Sequence, residues 1–307
     1  MPYANVIDNA DAGALIPVEH ADQVIKAAAQ TSAALALCRS QRMGSKTFQQ
    51  PVLSAAPVAY WVATGLKQTA EAAWTGVTLT AEEIATIVPA KDETIDDSGI
   101  PIWDELRDPI GEAFARVLDL AVLAGVNKPA SWPDAIIPAA TTAGNVHTAA
   151  ATAAEGGVYG DLEQTLSLVE ADGFDATAWA ASRRLRPLIR QARTAAGDLL
   201  GEGSTSVAWD LPIQYAVSGA IPTPTLAVVG DWSMAVLGIR QDMRFELFRE
   251  GVITDDTGAI VRNLMQEDMS ALRVTFRVAY ATAVPVTVPE GGGTGTAFPF
   301  AVLNAGA

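Results

Sequence analysis

Residues 95 to 125, IDDSGIPIWDELRDPIGEAFARVLDLAVLAG, commit this chain to a long amphipathic helix. Trp103, Leu106, Ile110, Ala113, Phe114, Val117, Ala121 and Ala124 recur at helical spacing and form one apolar stripe, and Gly125 follows as a C-cap. A helix from about 101 to 124 runs roughly 36 Å at 1.5 Å per residue, the width of a small domain. Pro109 cannot donate to the Glu105 carbonyl, so it either kinks the helix or restarts it with Asp108 as N-cap. The acids at its head, Asp96, Asp97, Asp104, Glu105, Asp108 and Glu112, raise the question of a carboxylate site. Free N–H groups and the macrodipole favour carboxylates at a helix N-terminus without any chemistry. No His accompanies them, and Thr94 breaks the calcium-loop spacing. A helix start with a solvated face is expected.

That helix must pack in a chain that is half apolar, with a mean hydropathy of +0.21 and 18% charged residues. No uninterrupted apolar run approaches 18 residues, so a membrane span is not expected. An apolar chain that does not span points to surface buried against further copies of itself. At 307 residues it holds one large domain or two ordinary ones. The net charge of −15 excludes a general nucleic-acid binder, since phosphate binding needs Lys and Arg. The single cysteine, Cys38, excludes an internal disulfide and a Cys-rich metal site, and is expected to pack in an apolar helical face. The N-terminus lacks a basic n-region and an apolar h-region, so synthesis in the cytoplasm is expected.

The rest of the chain alternates in character. Residues 1 to 15 are small and polar, and 19 to 38 are Ala-rich and helix-prone. From about 46 to 80, Thr, Val and aromatic residues punctuated by Gly65 and Gly76 predict two strands joined by an excursion longer than a hairpin loop. Tyr60, Trp61 and Trp74 sit on it; exposed there, they are costly in a monomer and useful at an interface. Residues 133 to 160 read as irregular. A helix over 161 to 171 is expected, capped by Asp161 and closed by Gly173, and another in 182 to 197 with Pro187 near its start and Gly197 at its end. Residues 207 to 230 read as extended, with Pro212, Pro222 and Pro224 as breaks. MRFELFRE and ALRVTFRVAYATAVPVTV alternate like strands, and the Gly-rich tail 289 to 307 reads as loosely held. The fold class is α+β.

Few motifs carry chemistry. Asp256-Thr257-Gly258 matches the triplet of aspartic proteases, whose paired carboxylates share a proton and activate water. The same residues are what a turn between two strands requires, and the turn is the expected reading. Five arginines, Arg183, Arg184, Arg186, Arg190 and Arg193, crowd one segment, with Arg183, Arg186, Arg190 and Arg193 on one helix face. They fit an anion or nucleic-acid patch, or pairing with acids on a neighbouring segment or subunit; in so acidic a chain the pairing is expected. The Gly-rich runs 201 to 206 and 291 to 296 contain no Lys and are not phosphate loops. His20 and His147 stand alone. No catalytic residue, cofactor or metal is expected.

The order of these features resembles the major capsid proteins of tailed bacteriophages, the Hong Kong 97-type fold. GVTLTAEEIATIVPAKDETIDDSGIPIWDELRDPIGEAFARVLDLAVLAG resembles the passage from an extended loop into the spine helix. DGFDATAWAASRRLRPLIRQARTAAGDLL is similar to a helix of the axial domain, and LAVVGDWSMAVLGIRQDMRFELFREG to a Gly-Asp-aromatic-Ser segment with its following strand. DMSALRVTFRVAYATAVP resembles the final peripheral strand. The resemblance implies an N-terminal arm and helix at 1 to 42, an extended loop at 43 to 88 and a peripheral domain with spine helix at 89 to 132 and 238 to 288. An axial domain at 133 to 237 and a tail at 289 to 307 complete it.

The resemblance further implies a virion shell subunit that assembles with itself into pentamers and hexamers and encloses DNA without sequence-specific binding. A portal is an implied partner, as are scaffolding and decoration proteins. Because the chain starts almost at the arm, any scaffold is expected to be a separate protein. Tyr60, Trp61, Lys67, Trp74, Arg183, Arg186 and Arg190 are the implied intersubunit contacts. Some relatives crosslink subunits through Lys and Asn; Lys46, Lys67 and Asn263 lie in the corresponding regions, but no local motif marks a crosslink. The alternatives are an encapsulin-like nanocompartment shell, which shares the fold, and a dimeric aspartic protease built on Asp256.

Overall fold

The computed structural model describes residues 32 to 306 apart from 58, 60, 63–64, 68, 99–100, 153–154, 194–195, 197, 199–204, 256 and 288–296. It opens with a short helix, α1 (Ala33–Leu37), where one longer helix over 19 to 38 was expected. Ser32 is extended (φ −60°, ψ 128°) and its Oγ accepts from Leu35 N at 3.1 Å, so it caps a new helix instead of continuing one; residues 19 to 31 lie outside the described residues. Strand β1 (Arg39–Arg42) leads to the long hairpin of β2 (Thr47–Ala55) and β3 (Ala73–Thr80), paired antiparallel from Thr47↔Thr80 outward. β4 (Glu82–Lys91) alternates half-buried and exposed residues along its length.

The spine follows as α2 (Asp92–Asp96), α3 (Ile102–Glu105) and α4 (Arg107–Asp119), continued by one π-helical turn, Leu120–Ala124. Gly125 stops it at φ +73°, the left-handed cap the sequence predicts. The break falls at Leu106, and Asp108 is not the cap. Pro109 sits within the first turn of α4, where a backbone N–H has no intrahelical partner to lose.

Past the spine lie α5 (Ile136–Ala143), β5 (Val146–Thr148) and α6 (Val158–Ala171). The helix α5 replaces part of the irregular stretch expected from 133 to 160. It buries only Ile136 and Ala140, too small a stripe for its composition to announce. Gly157, not Asp161, is the N-cap of α6, while Gly173 closes its end at φ +79°. β6 (Ala178–Ala181) leads to α7 (Leu185–Gln191), which ends well short of Gly197 because Ala192 turns extended. β7 (Val207–Ala208), β8 (Leu211–Tyr215), β9 (Thr225–Gly230) and β10 (Ala235–Phe248) come next. A small hairpin, β11 (Val252–Thr254) and β12 (Ile260–Asn263), precedes β13 (Met269–Thr282) and β14 (Phe300–Asn304).

Two main sheets result. One is β1-β10-β13-β4, with β10 and β13 antiparallel and β1 parallel to β10. The other is β5-β14-β9-β6-β8-β7. Its central strands are buried on both faces: Phe300, Val302 and Val228 join the core beneath α4, while Ala301, Leu303, Ala227 and Val229 join the core beneath α6 and α7. Double burial is why TLAVVG and FAVLN read as continuous apolar runs instead of alternating ones. The final segment is therefore not loose where it is described, since Phe300 to Leu303 are fully buried. The Gly-rich run before it masked a strand short enough to look like part of a tail.

The GDWS segment locks the two sheets together. Trp232 Nε1 donates to the Ala178 carbonyl at 2.9 Å, and its ring meets Phe300 edge-on at 5.2 Å. Gly230 is required there, because a Cβ would sit 2.2 Å from the Pro299 carbonyl oxygen.

Candidate assembly surfaces

The β2–β3 ribbon is anchored at its root and unsupported at its tip. At the root, Met43, Leu79 and Ala81 pack with Val236, Ala279 and Ala281. Trp132 Nε1 donates to the Thr80 carbonyl (3.0 Å), Ser131 Oγ to Glu82 (2.8 Å) and Ala81 N to the Lys46 carbonyl (2.8 Å). Toward the tip, Trp61 is 101% exposed, Leu66 93% and Trp74 68%. Burying one large apolar side chain is worth about 1.5–3 kcal/mol, which this ribbon leaves unclaimed within the chain. Lys67 stands exposed beside them, and Tyr60 lies outside the described residues.

A second surface is the α7 segment. The single face expected of Arg183, Arg186, Arg190 and Arg193 reduces to Arg186 and Arg190 within the helix; Arg183 precedes it and Arg193 follows it. The Arg186 guanidinium stacks 3.9 Å from the centre of the Tyr215 ring. Arg184 points inward. It donates to the carbonyls of Thr225 (2.7 Å), Pro222 (3.3 Å) and Ile221 (3.5 Å), closing one side of an open cleft of about 390 Å³. With that guanidinium consumed by backbone carbonyls, the cleft reads as a loop junction.

Sequence reasoning missed the most connected carboxylate. Asp119, fully buried at the end of α4, accepts from Ser32 Oγ (2.5 Å), Ala33 N (3.0 Å), Ala34 N (3.0 Å) and Val217 N (3.5 Å). It thereby joins the spine, the root of the N-terminal segment and the loop after β8. Burial pushes its carboxyl above the ordinary value, against the pull of the hydrogen bonds. Burial, with the Asp119 charge second, also drives the thiol of buried Cys38 far up, disfavouring the thiolate.

His147 is not alone as its sequence position suggests. Its Nε2 lies 2.9 Å from Asp161 Oδ1, which also accepts from Ala150 N (2.9 Å) and Ala151 N (3.0 Å). Burial raises the Asp161 carboxyl, but these bonds together outweigh it and leave it below the usual carboxylate value. The arrangement ties the loop after β5 to α6.

Asp104 pairs with Arg107 (3.3 Å) and Glu112 with Arg116 (3.0 Å) along the helix, as expected of a solvated face. At the Asp-Thr-Gly triplet, β11 and β12 pair antiparallel around a tight turn, and Asp256 itself lies outside the described residues. The neighbouring Asp255 closes the turn by accepting from Thr257 Oγ1 (2.7 Å), Thr257 N and Ala259 N (both 2.9 Å). The Thr257 bond foremost holds its carboxyl below the ordinary value. Among the described residues no cluster of His, Cys, Asp or Glu could hold a metal ion, and no helix is long and apolar enough to cross a membrane.

Residues 12–286 match the model of the phage capsid family. The major capsid protein of Staphylococcus phage 80alpha is 26% identical over 234 residues, covering 73% of this chain and 68% of that protein. A structure from Microbacterium phage Oxtober96 superposes with a TM-score of 0.85 at 38% identity, covering 98% of this chain and 100% of the other. One from Mycobacterium phage Adephagia gives a TM-score of 0.86 at 29% identity, covering 99% of each.

Proposed function

The chain belongs to the phage capsid family and has the role of a major capsid protein of the virion shell; on that premise we propose that it self-assembles into pentamers and hexamers of an icosahedral head enclosing double-stranded DNA. In this reading residues 1 to 42 are the arm and 43 to 88 the loop that lies over a neighbour. Residues 89 to 132 and 238 to 288 form the peripheral domain, 133 to 237 the axial domain around each ring centre, and 289 to 307 the tail. Tyr60, Trp61, Lys67 and Trp74 on the loop contact the neighbour, as do Arg183, Arg186 and Arg190 on the axial domain.

The observation that carries the reading is the ribbon. A two-stranded hairpin is at best marginal on its own, and this one presents fully exposed Trp61 and Leu66. A partner surface repeated around closed symmetry supplies what the chain does not, and many modest interfaces add up to a stable shell. The net charge of −15 favours a wall to which packaged DNA does not adhere. A portal, a scaffold and decoration proteins are the further partners of this reading.

Electron microscopy of the purified, untagged protein, with a check for copurifying nucleic acid, tests this. Closed particles or flat hexamer sheets are expected. A uniform dimer that never assembles, even under crowding and with a candidate scaffold, overturns it.

A further inference from the structure

α6 and α7 pack on the same face of the six-stranded sheet, both over the core of Trp179, Ala227 and Val229. α6 lies over the β5–β14–β9 end, whereas Arg186 of α7 stacks on Tyr215 of β8, toward the other end. Each helix turns its apolar side down: Leu162, Leu166 and Val169 on α6, Leu185 and Ile189 on α7. The outward sides carry opposite charge. α6 presents Glu163 and Glu170, two turns apart on one face; α7 presents Arg186 and Arg190, with exposed Arg183 just before it. Among the described residues none of these five forms an ion pair within the chain.

We infer that α6 of one copy and α7 of the next form a head-to-tail electrostatic seam, Glu163 and Glu170 facing Arg183, Arg186 and Arg190 of the adjacent copy. Acidic and basic stripes on one side of a sheet match both when successive copies are rotated head to tail and when two copies face each other about a two-fold; the ring-forming reading selects the rotation. Rotation that closes gives a ring. Stacking on Tyr215 already orders Arg186, so less conformational freedom is lost on pairing. In a chain of net charge −15, bases gathered on one short segment find their match in the acids of another copy. The inference rests on the ring-forming reading above and names which surfaces meet within a ring.

The test is charge exchange in the full chain. Arg186→Glu with Arg190→Glu, or Glu163→Arg with Glu170→Arg, is expected to lower the yield of closed particles at least about tenfold by sedimentation and microscopy. All four substitutions together restore most of it. Mixing the two reversed chains lets charges alternate around a six-membered ring but not a five-membered one, so hexamer sheets or tubes form without closed heads. Circular dichroism confirms folding of each variant. Arg186→Gln with Arg190→Gln guards against misfolding by reversal: its assembly is weaker and less sensitive to salt than that of the parent. Folded single-face variants that assemble like the parent, or a folded four-fold variant that stays unassembled, overturn the seam. If the parent chain itself forms no shells, it is the capsid reading that fails.

Discussion

The β2–β3 ribbon and the six-stranded sheet are built from similar residues and differ in what covers them. In the sheet, β9 and β14 are buried on both faces and each strand has neighbours on two sides. In the ribbon each strand has one neighbour, and Trp61 and Leu66 stand clear of everything in the chain. The sheet is thus covered along its length by the chain itself, whereas the ribbon is covered by the chain only at its root; under the proposed assembly the rest of its contacts come from a neighbour. A folded subunit and a finished shell draw on different residues.

Substitutions separate the two. The largest loss of subunit stability is expected from Phe300→Ala, which removes a fully buried ring from the seam between the sheets and costs about 3–5 kcal/mol. Urea denaturation of the unassembled chain measures it; a loss below about 1 kcal/mol breaks the contrast. Next comes Asp119→Ala, which strands the Ala33 and Ala34 N–H groups and the Ser32 hydroxyl, at about 1–3 kcal/mol. Limited proteolysis then cuts near α1 sooner than in the parent, because the root of the N-terminal segment loses its tie to the spine.

Acidity comes third. The Asp161 carboxyl is held below its unfolded value of about 3.9, so its contribution is complete above that pH and is lost as pH falls through the folded value. Asp119 has the opposite sign: its raised value makes its contribution greatest below the unfolded value, declining as pH rises through the folded one. Thermal melting of Asp161→Asn against pH is expected to show a flatter acid limb than the parent; an unchanged limb removes Asp161 from the account. The smallest effect on the subunit belongs to Trp61→Ala with Leu66→Ala, within about 0.5 kcal/mol because neither side chain touches the body. The same pair is expected to cut shell yield sharply in microscopy. Lost subunit stability with intact shells would reverse the comparison.

Legibility followed the range of each interaction. The spine was readable because Ile110, Phe114 and Ala121 are buried at a helical period printed in the sequence, although Ala113 and Val117, read into the same stripe, are exposed and Ala115 and Leu118 are buried instead. Gly125 and Gly173 announced the ends of their helices, since the left-handed region favours glycine. The hairpin was readable from its β-branched strands. Residues 300 to 304 were not, because a doubly buried strand lacks alternation and followed a Gly-rich run. The arginine face was overextended, because nothing local marks Gln191 as the last helical residue.

The sequence by itself determined the spine helix, the long hairpin and the glycine stops, their order, and the excess of apolar surface that points to assembly. These follow from periodicity and turn chemistry within a few residues. Only the tertiary structure decided that Asp119 meets Ser32, that His147 meets Asp161, and that β14 enters the middle of a sheet. Those pairings join residues far apart in the chain, often through backbone N–H groups. Every residue but proline carries one, so no side-chain pattern can point to the particular N–H that a buried carboxylate will find.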